Sequence, residues 1–118
     1  MSYCTFFITS VAPNRIDDYK KLAETMAESW IKYGALEVQE FIGIDTPVGE
    51  VTSYPRAVKA EEGDIIITGF VRYASQEDKQ NIMAQIMADP QMQEMFKNAP
   101  MNGMNMVFGG FEPLINRA

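Results

Sequence analysis

Three segments of this chain are apolar on both sides of a β-strand. In residues 3–11, YCTFFITSV, Phe6 and Ile8 alternate with Phe7. In 64–73, DIIITGFVRY, Ile65 and Ile67 alternate with Ile66 and Phe70, and in 104–111, MNMVFGGF, Met106 and Phe108 alternate with Val107 and Phe111. Successive side chains of a strand point to opposite faces, so a sheet built from these segments needs apolar cover on both. Whatever the chain folds into must supply two covering layers.

Between the strands the period changes to that of a helix. Asn14 is a candidate N-cap, Asp17 and Asp18 suit the positive end of a helix dipole, and Ile16, Tyr19, Ala23, Met26, Ala27 and Trp30 recur at three and four, ending at Gly34. Residues 35–44, ALEVQEFIGI, return to alternation with Leu36, Val38, Ile42 and Ile44 on one side. The segment 45–63 holds prolines, glycines and mixed charge with neither period, which predicts a long loop that is either ordered by a short strand of its own or functional. Ser75 with Asp78 predicts a capping box ahead of a second helix striped by Ile82, Met83, Ile86 and Met87. Asp89 and Pro90 restart a short helical piece with Met92, Met95 and Phe96 buried, and Asn102–Gly103 marks a turn into the last strand.

The order strand, helix, strand, long loop, strand, helix, strand is the ferredoxin-like βαββαβ plan, an α+β fold with two helices on one face of a four-stranded antiparallel sheet. With 118 residues, 47% of them hydrophobic, the chain suffices for one domain spanning 1–118. The second apolar face is then left bare. A homodimer joined through that sheet face is the economical cover, at the ~800 Å² per partner usual for specific interfaces.

Composition excludes several kinds of function. Sixteen acidic against ten basic residues give a net charge of −6, which argues against nucleic acid and anionic membrane surfaces as partners. The longest apolar stretch, IIITGFV at 65–71, is too short to span a bilayer, and the N-terminal residues carry no basic region ahead of an apolar one. Cys4 is the single cysteine, so no internal disulfide or multi-cysteine metal site is available and a cytoplasmic setting is expected. There is no histidine, which removes Ser-His-Asp and Cys-His nucleophilic sites and imidazole ligation of a metal or haem. Neither a metal nor a cofactor is expected.

VTSYPRAVKAEEGD, MADPQM and MVFGGFEPLI, in that order and joined to YGALEVQEFIG, together resemble the YbaA-like family of bacterial proteins, the domain of unknown function 1428, from about Tyr3 to Ile115. The resemblance implies a dimeric α+β barrel of two ferredoxin-like protomers packed sheet to sheet, and implies no activity. The basic pair usual in that family after the Asx-Gly turn is Met104–Asn105 here, which weakens any anion-binding role for that corner. Related superfamily members include cofactor-free monooxygenases, haem-degrading enzymes, isomerases and stress-response proteins, among which fold alone does not choose.

Candidate ligand-binding residues follow from polar groups in apolar places. Glu40 shares a register with Leu36, Val38, Ile42 and Ile44, so it sits either at a bulge or edge, or inside a cavity as base or hydrogen-bond acceptor. Tyr54, Arg56 and Lys59 form either a solvated arm or a basic rim for an acidic or carbonyl-bearing ligand. Trp30 and Tyr33 fit the core or position an aromatic ligand, with Tyr73 and Asn105, and Glu112 ends the last strand either in water or at a pocket. Arg72 is expected in an ion pair between subunits, Cys4 as a buried inert thiol, and Gly109–Gly110 as a bulge, a close backbone approach or room for a ligand. Seven of the nine methionines lie between Met83 and Met106, a pliable lining for apolar ligands or simple core filling.

The favoured function is a homodimeric small-molecule-binding or stress-associated protein with an apolar cavity. The alternatives are a cofactor-independent monooxygenase or isomerase acting on an activated aromatic or polyketide-like substrate, and a purely structural interaction protein. A sealed core would favour the last. An open pocket holding paired Glu and Tyr or Asn groups would favour the enzyme.

Overall fold

The computed structural model describes residues 2–101 and 103–118. Its strands are β1 (Tyr3–Val11), β2 (Glu37–Ile42), β3 (Ile65–Tyr73) and β4 (Val107–Phe111), and its helices α1 (Ile16–Lys32), α2 (Tyr54–Ala57), α3 (Gln76–Ala88) and α4 (Pro90–Lys97). The sheet order is β2-β3-β1-β4 with every neighbouring pair antiparallel. This is the expected ferredoxin-like arrangement, with β2 and β4 at the edges.

Local chemistry accounts for most element ends. The Ser75 side chain accepts from the Asp78 backbone N–H at 3.1 Å to start α3, and Asp89 accepts from Gln91 N–H at 2.9 Å to start α4, with Pro90 at its first position. Gly34, at φ +117, closes α1 while the next N–H, from Ala35, returns to the Trp30 carbonyl at 2.9 Å.

Three details depart from expectation and a fourth is only partly described. Asn14 does not cap α1: Pro13–Arg15 forms a 3-10 turn that runs into the helix, and Arg15 occupies the cap position without a side-chain bond. The loop 45–63 contains a helical turn, α2, in place of a short strand, because Ser53 caps the Arg56 N–H and Pro55 suits a first turn. The outer strands are shorter than their apolar runs, so Ile44 lies beyond β2 at 96% exposure and Met104 precedes β4 in a 3-10 turn at 97%. The turn expected at Asn102–Gly103 lies partly outside the described residues, since Asn102 is not among them; Gly103 opens that 3-10 turn.

Sheet register assigns every side chain to a face. Tyr3, Thr5, Phe7 and Thr9 of β1 point toward the helices together with Ile67, Val71 and Tyr73 of β3, Val38 and Glu40 of β2, and Phe108 and Gly110 of β4. This layer carries the core: Trp30, Tyr73, Ile82, Ile86 and Met92 form one buried cluster, and Val11, Tyr19 and Ile67 another. The opposite face bears Phe6, Phe41, Phe70, Val107 and Phe111. Phe6 packs on Phe70 with ring centroids 5.6 Å apart and edge-on against Phe111 at 5.5 Å, yet Phe6 stays 45% exposed and Phe111 57%. Gly43 and Thr46 pack beside Ile66 at one end of this face, where Ile66 is buried.

Candidate functional site

The helix layer does not seal the sheet. A cavity of about 360 Å³ lies between the sheet and α1 and α3, floored by Thr5, Phe7 and Val71 and walled by Met26, Trp30 and Met83, with Met101, Met106 and Phe108 toward the β4 edge. Its size and apolar lining are those of small-molecule sites. Phe108, on the edge strand, is 78% exposed, so the cavity opens on the β4 side.

Glu40 is the carboxylate in this lining. The strand runs through it without a bulge, since Glu40 pairs with Gly69 in unbroken register, and the edge position of β2 leaves its side chain half-buried over the cavity. Tyr19, one turn into α1, donates its hydroxyl to Oε1 of Glu40. Burial raises the Glu40 carboxyl above the ordinary range, opposed by the Tyr19 bond. Burial, then the same bond to a carboxylate, pushes the Tyr19 phenol far up, so the proton stays on the phenol and Glu40 remains the acceptor. The second carboxyl oxygen has no donor among the described residues.

Two glycines make this geometry possible. A Cβ at Gly69, between Glu40 and Phe7 in the same row of the sheet, would strike the Gln39 carbonyl and come within 2.9 Å of the Phe7 ring. A Cβ at Gly110 would overlap the Tyr3 hydroxyl, which lies across that bare backbone. Gly110 therefore provides a close approach within an unbulged strand.

The expected site residues do not all meet. Glu40 and Trp30 line the same cavity, but the Trp30 indole N–H is spent on the Tyr73 hydroxyl at 2.8 Å, in the buried wall. Tyr54, Arg56 and Lys59 lie away from it. Arg56 donates to the carbonyls of Val48 at 2.9 Å and Gly49 at 2.9 Å and thereby pins the loop around α2, Lys59 sits at φ +51 on its rim, and Tyr54 is exposed. Glu112 flanks a shallow depression with Ser2, Tyr3, Ser75 and Gln76. Arg72, expected in an ion pair between subunits, meets Glu37 of its own chain at 3.1 Å on the open face, because the two lie directly opposite in the β2–β3 ladder. Tyr33 donates to Asp89 at 2.8 Å and Asn105 is outside the cavity lining. Cys4 is partly buried, and burial raises its thiol. Four methionines, Met26, Met83, Met101 and Met106, line the cavity, whereas Met92 fills core.

Tyr19, Tyr3 and Gly69 escaped sequence reasoning as site residues, whereas Gly110 entered it with Gly109 as a bulge, a close approach or room for a ligand. Tyr19 reads as one more member of an apolar stripe, and its partner is 21 residues away. Among the described residues no group of three or more His, Cys, Asp or Glu side chains is placed to hold a metal ion, and no helix is long and apolar enough to cross a membrane.

Comparison with known proteins places this geometry in context. Over nearly its whole length the chain is similar in fold to SnoaB, a cofactor-independent oxygenase from Streptomyces nogalater, at 8% identity and a TM-score of 0.62, covering 97% of this chain and 95% of that one. It is also similar to a dimeric ferredoxin-like protein from an uncultured marine organism, at 9% identity and a TM-score of 0.58, covering 99% and 100%. Sequence similarity is closer to the uncharacterized protein YbaA of Escherichia coli K12, 34% identical over 116 residues that cover 98% of this chain and 99% of that protein. The family model for proteins of unknown function DUF1428 matches residues 2–103, and the chain belongs to that family.

Proposed function

We propose that this protein is a homodimer that holds an apolar small molecule in the cavity between helices and sheet, with the Glu40–Tyr19 pair as its polar anchor. The observation that carries the proposal is a half-buried carboxylate at an open apolar cavity with one side-chain donor, Tyr19, and one oxygen left over. Desolvating a carboxylate costs stability unless it is paired. A ligand hydroxyl donating to the spare oxygen supplies the missing partner. The partly exposed Phe6–Phe70–Phe111 cluster supports a second copy as the cover for the open face, as does the dimeric state named for one fold neighbour.

One observation favours a second reading. The cavity is open and its acid and phenol are paired, which is the arrangement expected of a cofactor-independent enzyme acting on an activated aromatic. In that reading Glu40 takes the hydroxyl proton of the ligand, leaving an electron-rich anion for reaction with an outside oxidant such as dioxygen.

Trp30, the single tryptophan, lines the cavity and reports occupancy by its fluorescence. Titration with 2-naphthol is expected to change that emission saturably in the parent protein and to require at least tenfold more ligand in Glu40→Gln. Equal affinity in the two proteins would remove Glu40 from the anchor role. Oxygen uptake in the presence of bound ligand separates the enzyme from the carrier.

A further inference from the structure

The cavity has a second polar end. The Tyr3 hydroxyl lies over Gly110, whose missing side chain is what admits it, and the two residues line both the cavity and the outer depression beside Glu112. Glu40 and Gly110 both line the cavity but belong to opposite edge strands. They are separated by three strand spacings and two residues along the strand, which at about 4.8 Å and about 3.4 Å puts their backbones roughly 16 Å apart. Side-chain reach and a hydrogen bond at each end leave on the order of 10 Å between the two ligand atoms. The floor between them is built from two adjacent rows, Val71 with Thr5 and then Phe7 beside Gly69, whose side chains a flat molecule can lie against.

We infer that the ligand is an elongated, planar aromatic carrying a hydroxyl at each end, one donating to Glu40 and the other exchanging a hydrogen bond with the Tyr3 hydroxyl. This rests on the proposed cavity function and adds ligand length and a second recognition residue to it. A ligand with one hydroxyl satisfies Glu40 and leaves the Tyr3 hydroxyl to water, since Tyr3 is only partly buried and also lines the outer depression. A neutral donor at the Glu40 end also fits the chemistry, since an anionic ligand group there would face the carboxylate. Tyr3 is then a specificity residue and Gly110 its positioning partner.

The probes are 4,4'-dihydroxystilbene and 4-hydroxystilbene, rigid rods of the same shape that differ by the far hydroxyl. Isothermal titration of the full-length protein is expected to show the diol binding about tenfold more tightly, the worth of one added hydrogen bond. Tyr3→Phe is expected to erase that advantage, and Gly110→Ala, which displaces the hydroxyl while keeping the tyrosine, to do the same. Glu40→Gln weakens both ligands and preserves their ratio. Equal affinity of the two stilbenes in the parent protein, or an advantage that survives in Tyr3→Phe or in Gly110→Ala, would overturn the inference while leaving the cavity function standing. Failure of both stilbenes to bind the parent protein would overturn the two together.

Discussion

Tyr19→Phe removes one hydroxyl and tests whether the pair at the cavity is an energetic unit. The parent bond runs from a buried phenol to a half-buried carboxylate. Hydrogen bonds to charged groups contribute about 1.5–3 kcal/mol, against about 0.5–1.5 kcal/mol between neutral ones. The substitution leaves the carboxyl desolvated with no side-chain donor among the described residues, so a loss of about 2 kcal/mol is expected at pH 7. Repeated in a Glu40→Gln background, the same change breaks only a neutral bond and costs about 1 kcal/mol. The coupling between the two sites is then about 1 kcal/mol, within reach of a double-mutant cycle. Urea denaturation measures it, with protein concentration held constant because a dimer ties stability to concentration. A loss below about 0.5 kcal/mol, or additive single and double variants, would refute the reasoning by showing that Glu40 draws no support from Tyr19.

Other consequences follow from the same geometry. Because the folded Glu40 carboxyl lies above its unfolded value, its contribution is most favourable at low pH and is lost as pH rises through the folded value; Glu40→Gln should therefore gain stability relative to the parent between about pH 4 and pH 7, and an unchanged difference across that range contradicts it. Gly69→Ala drives a Cβ toward the Gln39 carbonyl and the Phe7 ring, so a loss of about 1–3 kcal/mol is expected from thermal or urea unfolding, and a neutral result would mean the strand gives way. Phe6→Asp places a charge at the centre of the open aromatic cluster and should convert a dimer of twice 13.3 kDa to monomer by light scattering, whereas an unshifted mass would put the interface elsewhere.

Much of this was legible in the sequence, for physical reasons that differ by residue. The change of period from two to between three and four placed each main strand and helix, because burial of one face imposes those repeats. The doubly apolar strands showed that one face would be left uncovered, since two helices supply only one layer, but not which register, and only the fold puts Phe6 rather than Phe7 there with Phe70 and Phe111. Helix α2 was hidden because it is a single turn held by Ser53 and by Arg56 on two carbonyls, with no repeat long enough to detect. Glu40 stood out as a charge in an apolar register. Its partner did not, because Tyr19 also satisfies the helix pattern and only the folded chain brings the two together. Gly110 suggested a close approach, but nothing local pointed to the Tyr3 hydroxyl as the group that needs it.

Native mass spectrometry of the protein expressed in its own host, sprayed without denaturation, tests the cavity most directly. The parent should carry a non-covalent small molecule that Glu40→Gln carries in much lower occupancy. A parent protein of bare polypeptide mass, or the same adduct undiminished in Glu40→Gln, would contradict a ligand anchored at Glu40.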